Sequence, residues 1–245
     1  MTKKYRALIS AGGLELPVDI TLERRRDTRF GITGKRATLR VPLGVPPDFV
    51  QKQLSELEAW VHKVFLEKPA LRAPFLGKTY QTGDVLEVGQ RRYVLDVNIE
   101  ERGTHSGKLI GDTIHLQISA KSTSANRTRA IKTLLSRVVA GDFYPEIRRR
   151  VLDWNDRTFR QHIKSINLKY NHTNWGSCSA HSNVNLSTRL LFAPNDVQDY
   201  VILHELAHLV ELNHSDRFWA LVESYMPGYQ EKERWLKANR AKCDF

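Results

Sequence analysis

The chain has 245 residues, 41% of them hydrophobic, and two cysteines, Cys178 and Cys243. That is apolar material for one large core or two small ones, and too little cysteine for a disulfide framework or a thiolate zinc site. Net charge is +11; no apolar run approaches the ~20 residues of a membrane span, and the start Met1-Thr2-Lys3-Lys4-Tyr5-Arg6 lacks a secretory apolar stretch, so a cytoplasmic protein off the membrane is expected.

In chain order, residues 5–9, 16–22 and 37–41 read as short strands, broken by turn signals at Gly12-Gly13 and over 31–34. Arg24-Arg25-Arg26 falls on a strand or hairpin edge, where charge opposes aggregation. Pro46-Pro47-Asp48 opens a helix over 48–67 with Val50, Leu54, Leu57, Trp60, Val61, Val64 and Phe65 on one side. Residues 68–74 read as a connector, and strands follow over 77–81, 85–88, 93–97 and 113–118, with an exposed turn region over 103–111. From about residue 125 the spacing turns helical, carried by Leu134, Leu135, Val138, Phe143, Ile147 and Val151 to about 162, with interruptions expected at Gly141 and Pro145.

Residues 166–169 and 183–191 read as strands on either side of Trp175-Gly176-Ser177-Cys178. Pro194 and Asn195 then open a helix, with Asn195 as cap and Gln198 reaching back in an Asn-x-x-Gln capping box. Val197, Tyr200, Val201, Leu203, Leu206, Leu209, Val210 and Leu212 make it apolar nearly all round, the mark of a buried helix. A helix starts near Ser215 and carries Phe218, Trp219, Leu221, Val222 and Tyr225; Met226 packs from it, and a last helix spans 229–241. The fold class is α+β: a β-rich N-terminal half over 1–120, then 121–245 with helices packed on a small sheet. Neither an internal repeat nor a low-complexity tract is visible in the sequence.

The buried helix carries His204-Glu205-Leu206-Ala207-His208, and His214 follows. Histidines four apart lie one turn above the other, with Cβ atoms roughly 5–6 Å apart, so both can reach one zinc ion. Glu205 is offset by about 100° around the helix, which puts a carboxylate beside the ion's open position, able to polarise a water. Burying such groups without a partner is costly, and a metal provides one. Asn213 is placed to end the helix in the left-handed conformation and return His214 as third ligand, with Glu223 as the rival. One Zn2+ is expected, other divalent ions being possible. Candidates for substrate or oxyanion contact are Arg189, Tyr225, Tyr229 and His181. His172 and His181 flank the Trp-Gly-Ser-Cys stretch, and Cys178 reads as a small buried residue rather than a nucleophile.

The charge is uneven. Residues 121–170 carry 12 basic and 4 acidic side chains, whereas 171–245 carry 7 and 9. Arg148-Arg149-Arg150, Arg157, Arg160, Lys164 and Lys169 dominate the basic stretch, which reads either as a solvated face or as a footprint for nucleotide or nucleic acid.

Residues 166–237 resemble the YgjP-like family, a group of bacterial proteins classed with the zincin metallopeptidases. The resemblance is carried by Trp175-Gly176-Ser177-Cys178-Ser179, Asn185-Leu186, Leu191-Phe192-Ala193-Pro194, Asp199-Tyr200-Val201-Ile202, His204 to Leu209, Asn213-His214-Ser215, Phe218-Trp219 and Trp235-Leu236-Lys237. It implies a zincin-like catalytic domain over 121–245, metal on His204, His208 and His214, and a catalytic Glu205. The chain departs from the family at Asn174, where a basic residue is usual, and at Thr188-Arg189, where Trp-Arg is common. A zinc hydrolase cleaving peptides or proteins is the leading expectation, with 183–191 as the edge strand that pairs with substrate. The alternatives are a metal-dependent nucleotide phosphoanhydride hydrolase using the same site, and a nucleic-acid-associated binding module with structural zinc.

Overall fold

The computed structural model describes residues 2–76 and 78–245. The chain divides into two compact units, Met1–Thr79 and Tyr80–Phe245. Among the described residues no helix is long and apolar enough to cross a membrane.

In the first unit, β1 (Lys3–Ala11), β2 (Leu14–Glu23), β3 (Arg29–Thr33) and β4 (Arg36–Pro42) form a sheet in the order β1-β2-β4-β3. Leu16, Val18, Ile20 and Leu22 alternate inward along β2, as the two-residue period of a strand requires. Helix α1 (Pro47–Glu67) closes this core with Leu57, Val61 and Phe65, each one turn from the next. The expected connector over 68–74 is instead part of a helix, α2 (Pro69–Leu76), with Pro69 in the first position that tolerates a missing N–H. Of the strand expected over 77–81, Gly77 lies outside the described residues and 78–81 are not a strand.

The second unit opens with β5 (Val85–Val88), β6 (Arg91–Glu100), β7 (Ser106–Ile110) and β8 (Thr113–Ser119), ordered β5-β6-β8-β7. The plan of the first unit recurs here: two antiparallel pairs joined through a parallel central pair, then a helix. Even the parallel interval is the same, Val18 facing Ala37 and Val94 facing Thr113. Only the inward alternation repeats, not the residues, so the sequence hides it.

Two strands fall where turns are expected, and glycine explains both. A Cβ on Gly31 of β3 would come 2.7 Å from Thr38 Oγ1, and one on Gly107 of β7 would come 2.9 Å from Leu116 Cδ2. These glycines let neighbouring side chains approach the strand rather than bend it.

Helix α3 (Ser124–Arg157) runs through Gly141 and Pro145 without a break. Proline at 145 frees the carbonyl four residues back, which is that of Gly141, and both residues are exposed, so water can take the lost bond. Beyond α3, β9 (Ser165–Lys169), β10 (Gly176–Cys178) and β11 (Asn183–Ser187) form a small sheet in the order β10-β11-β9. The strand expected over 183–191 thus stops at Ser187 and continues as a 3-10 turn over Thr188–Phe192. Helices α4 (Asn195–Ala207), α5 (Asp216–Tyr225) and α6 (Gln230–Asn239) complete the unit. The β5–β8 sheet, which composition groups with the N-terminal half, shares one apolar core with α3 and α4.

Asp142 of α3 accepts from the Tyr93 hydroxyl at 2.5 Å and pairs with Arg91 at 2.7 Å. Burial raises its carboxyl pKa, but Tyr93 and Arg91 outweigh this and hold it below the ordinary carboxylate value. A depressed folded pKa contributes stability above the unfolded value and loses it as pH falls through the folded one. Urea midpoints should therefore fall in acid, and Asp142→Asn should flatten that part of the profile; an unchanged profile would remove the pair from the account.

Candidate metal centre

The helix that carries the site is held from outside. Pro194 precedes α4 and no side chain caps it, so the expected Asn195–Gln198 capping box does not form. Asn195 already lies inside the helix and cannot cap it; Arg150 of α3 anchors the first turn through its acceptors: Nη1 donates to Gln198 Oε1 (2.7 Å), and Nη2 donates to the Asn195 carbonyl (2.7 Å) and to Asp199 Oδ1 (2.6 Å). A planar guanidinium holds several acceptors at fixed angles. One of the basic residues of 121–170 is therefore internal, as is Arg127, bonded to the carbonyls of Ser122 and Ala120.

Val197, Tyr200, Val201, Ile202, Leu203, Leu206 and Ala207 bury the helix, but it ends at Ala207. Leu212 is 59% exposed, outside the apolar surround that the sequence implies. Among the described residues only Arg160 and Ser182 have positive φ outside glycine, so Asn213 does not terminate by a left-handed turn. A short turn does so instead, with Val210 and Glu211 donating to the Ala207 carbonyl. The chain then bends back to Ser215, whose hydroxyl accepts from Phe218 N and starts α5.

This return brings His204, His208 and His214 together, with one ligand-capable atom from each within 4.8 Å of the others. His204 Nε2 and His214 Nε2 stand 3.0 Å apart. Phe218 is fully buried beneath all three rings, with centroids 4.5–4.9 Å away. Trp219 stacks on His214, Tyr229 stacks on Trp219, and Tyr200 stacks on Tyr229 and meets His204 edge-on. An aromatic circuit thus fixes the exposed His214 against the half-buried His204. Sequence periodicity shows Phe218 and Trp219 only as apolar positions; their place beneath and beside the histidines needs the fold. Phe218→Ala should destabilise the unit by about 3–5 kcal/mol and loosen the cluster, read by thermal unfolding and metal affinity together.

The electrostatics favour neutral imidazoles at His204 and His208. Burial, reinforced by His208 and His214, pushes His204 down to about 3. Burial also lowers His208, against the backbone bond from its Nδ1 to the Glu211 carbonyl at 3.1 Å. That bond orients the ring and leaves Nε2 as the free lone pair. His204 Nδ1 and Glu205 Oε2 are buried without a hydrogen-bond partner. Orphaned polar atoms beside converging imidazoles fit a divalent cation.

Burial alone pushes the Glu205 carboxyl up to about 8. Its side chain meets the backbone of β10 at Gly176, where a Cβ would lie 2.4 Å from Glu205 Oε1. Glycine is the residue that allows this approach. Gly176, Ser177 and Cys178 line, with the three histidines and Glu205, an open cleft of about 650 Å3. The edge of the small sheet at this cleft is β10; β11, expected as the edge, lies in the middle because the Trp-Gly-Ser-Cys stretch is itself a strand paired with it.

The other candidates scatter. Arg189, only 3% exposed, donates Nε to the Cys243 carbonyl (2.7 Å), Nη1 to His172 O (2.7 Å) and Nη2 to Arg240 O (2.5 Å). It ties residues 243–245 to the site loop and does not line the cleft. Arg189→Met should cost about 2–4 kcal/mol, since the carbonyls of His172, Arg240 and Cys243 lose a charged donor that is itself buried, and a thermal shift measures it. Tyr225 donates to the Thr158 carbonyl at 3.4 Å and packs on Phe159. His181 is exposed on the turn after β10. Tyr229 touches the cluster only through Trp219 and Tyr200. The rival ligand Glu223 bonds Gly228 N and Gln230 instead. The Cys178 thiol is half-buried and is pushed up to about 11 by burial and Glu205, which keeps it protonated.

Three imidazoles converging beside a buried carboxylate in an open cleft are the donor set of a metal-dependent hydrolase. The chain belongs to the YgjP-like family: the family's metallopeptidase domain matches residues 26–239. It is thus a hydrolase of a metallopeptidase family, which implies a metal and a peptide or protein substrate. No curated protein matches the chain. Among solved structures, the metallopeptidase zymogen abylysin of Pyrococcus abyssi is similar at 22% identity and a TM-score of 0.34, over 38% of this chain and 93% of that one.

Proposed function

We propose that this protein is a zinc peptidase in which His204, His208 and His214 hold one ion and Glu205 moves the proton. The observation that carries the reading is the meeting of three imidazoles with a buried carboxyl group in one cleft, walled by an open strand edge. Zinc, when held by these three histidines, would supply Lewis acidity to the reaction. A cation on the three histidines would offset the burial that raises the Glu205 carboxyl and keep it ionised, so that Glu205 accepts the proton of the attacking water at a carboxylate oxygen and returns it to the leaving nitrogen. The edge of β10 binds the substrate as an added strand, through backbone hydrogen bonds, and sets the peptide bond beside Glu205. Trp219 and Phe218 hold His214 and His208 in place. A reducing cytoplasm suits the two free cysteines.

Presenting the protein, in parallel, with a peptide library and with nucleoside triphosphates, each with Zn2+, Mn2+ and Mg2+, tests the reading. Cleavage of peptides with Zn2+ is expected. Phosphate release without peptide cleavage would replace it with the phosphoanhydride reading. Stoichiometric zinc with neither activity would leave the structural-zinc binding module.

A further inference from the structure

One wall of the cleft carries charge that the proposed chemistry does not use. Glu233, Leu236, Lys237 and Arg240 recur on one face of α6 and the residue after it, and all four line the cleft. Arg240 donates from Nη2 to the carbonyls of His172 (3.1 Å) and Thr173 (2.5 Å). These bonds fix the guanidinium at the end of the cleft where residues 173–175 lead into β10. Both use one nitrogen, so Nε and Nη1 remain for a ligand, and no carboxylate pairs with Arg240 among the described residues. Lys237 likewise makes no hydrogen bond or ion pair among the described residues. The acidic member, Glu233, sits further back along α6 and acts on Tyr200 and Tyr229. Arg240 thus stands at the Thr173 end of the wall, with Lys237 one helical turn before it and Glu233 one turn before Lys237.

We propose that Lys237 and Arg240 recognise a carboxylate of the substrate, either an acidic side chain or a C-terminal carboxylate. The substrate's being a peptide rests on the peptidase reading; the anion site does not. Gly176 touches Glu205, and Thr173 lies three residues away along the chain. At about 3.3 Å per extended residue, Thr173 and Gly176 are at most roughly 10 Å apart, so the carboxylate binds a few residues along the substrate from the bond that Glu205 serves. The N–H groups left on this guanidinium, together with an ammonium one helical turn away, form single charge-assisted hydrogen bonds with such a group, and the arrangement selects partners by charge. The competing account is that these side chains only complement the C-terminal dipole of α6.

Binding is measured on zinc-loaded Glu205→Gln protein with fluorescent peptides of one neutral core. They carry Asp or Gln at positions on either side of the centre, and end in a free carboxylate or an amide. Acidic peptides should bind roughly tenfold tighter than their neutral partners, with strong salt dependence. The Asp and free-carboxylate arms tell the two sources apart. Lys237→Glu, at an exposed position, should abolish or reverse the preference while the fold persists by circular dichroism. Equal affinity across the set, no binding at all, or a preference untouched by Lys237→Glu overturns the carboxylate site. The same peptides are offered to the wild-type protein for cleavage. A binding preference with no peptide cleaved overturns the peptidase reading alone.

Discussion

Glu205→Gln should keep its zinc and lose peptide turnover by roughly 10²–10⁴-fold, the usual contribution of a positioned general base. Glutamine matches the shape of the carboxyl but cannot accept a proton. Glu205 is not among the converging nitrogens, so its replacement leaves the donor set whole. His204→Ala should do the reverse and lose the metal itself, because His204 provides the Nε2 that faces His214 at 3.0 Å. Elemental analysis beside a turnover assay separates the two. Undiminished turnover in Glu205→Gln would remove that residue from its role, and full metal occupancy in His204→Ala would sink the site.

Gly176→Ala should be nearly as damaging, although it removes no functional group. The new methyl would stand 2.4 Å from Glu205 Oε1, 2.6 Å from Cγ and 2.7 Å from Cδ. Strand β10 cannot easily yield, since Gly176 pairs with Leu186 in the middle strand of the sheet. The carboxyl must move instead, and a misplacement of about 1 Å costs on the order of 10²-fold in rate. Metal content should stay near that of the wild type. Because both changes act through one carboxyl, Gly176→Ala added to Glu205→Gln should cost little more than Glu205→Gln alone. Fully additive losses would show that Gly176 acts elsewhere.

Much of the site was legible because it is local. His204 and His208 are placed by helical periodicity, and α4 was readable from its apolar run. The strands at 85–88 and 113–118 showed through alternation. The misreadings share a cause. Gly31 and Gly107 were read as turns, but each sits in a strand where a distant side chain needs the room. The capping box does not form because the helix takes in Asn195 and leaves Pro194 at the cap, and what anchors the first turn is Arg150, 45 residues upstream of Asn195, beyond any local pattern. Arg189 looked available for substrate, yet its fork is filled by carbonyls from residues 172, 240 and 243.

By itself the sequence determined the α+β class, the buried histidine helix and the H-E-x-x-H spacing, since these follow from periodicity over a few turns of chain. Tertiary structure decided the rest: that His214 rather than Glu223 joins the pair, that β10 and not β11 is the open edge, and that Gly176 presses on Glu205. Each depends on which distant segments pack together, and no local pattern encodes that choice.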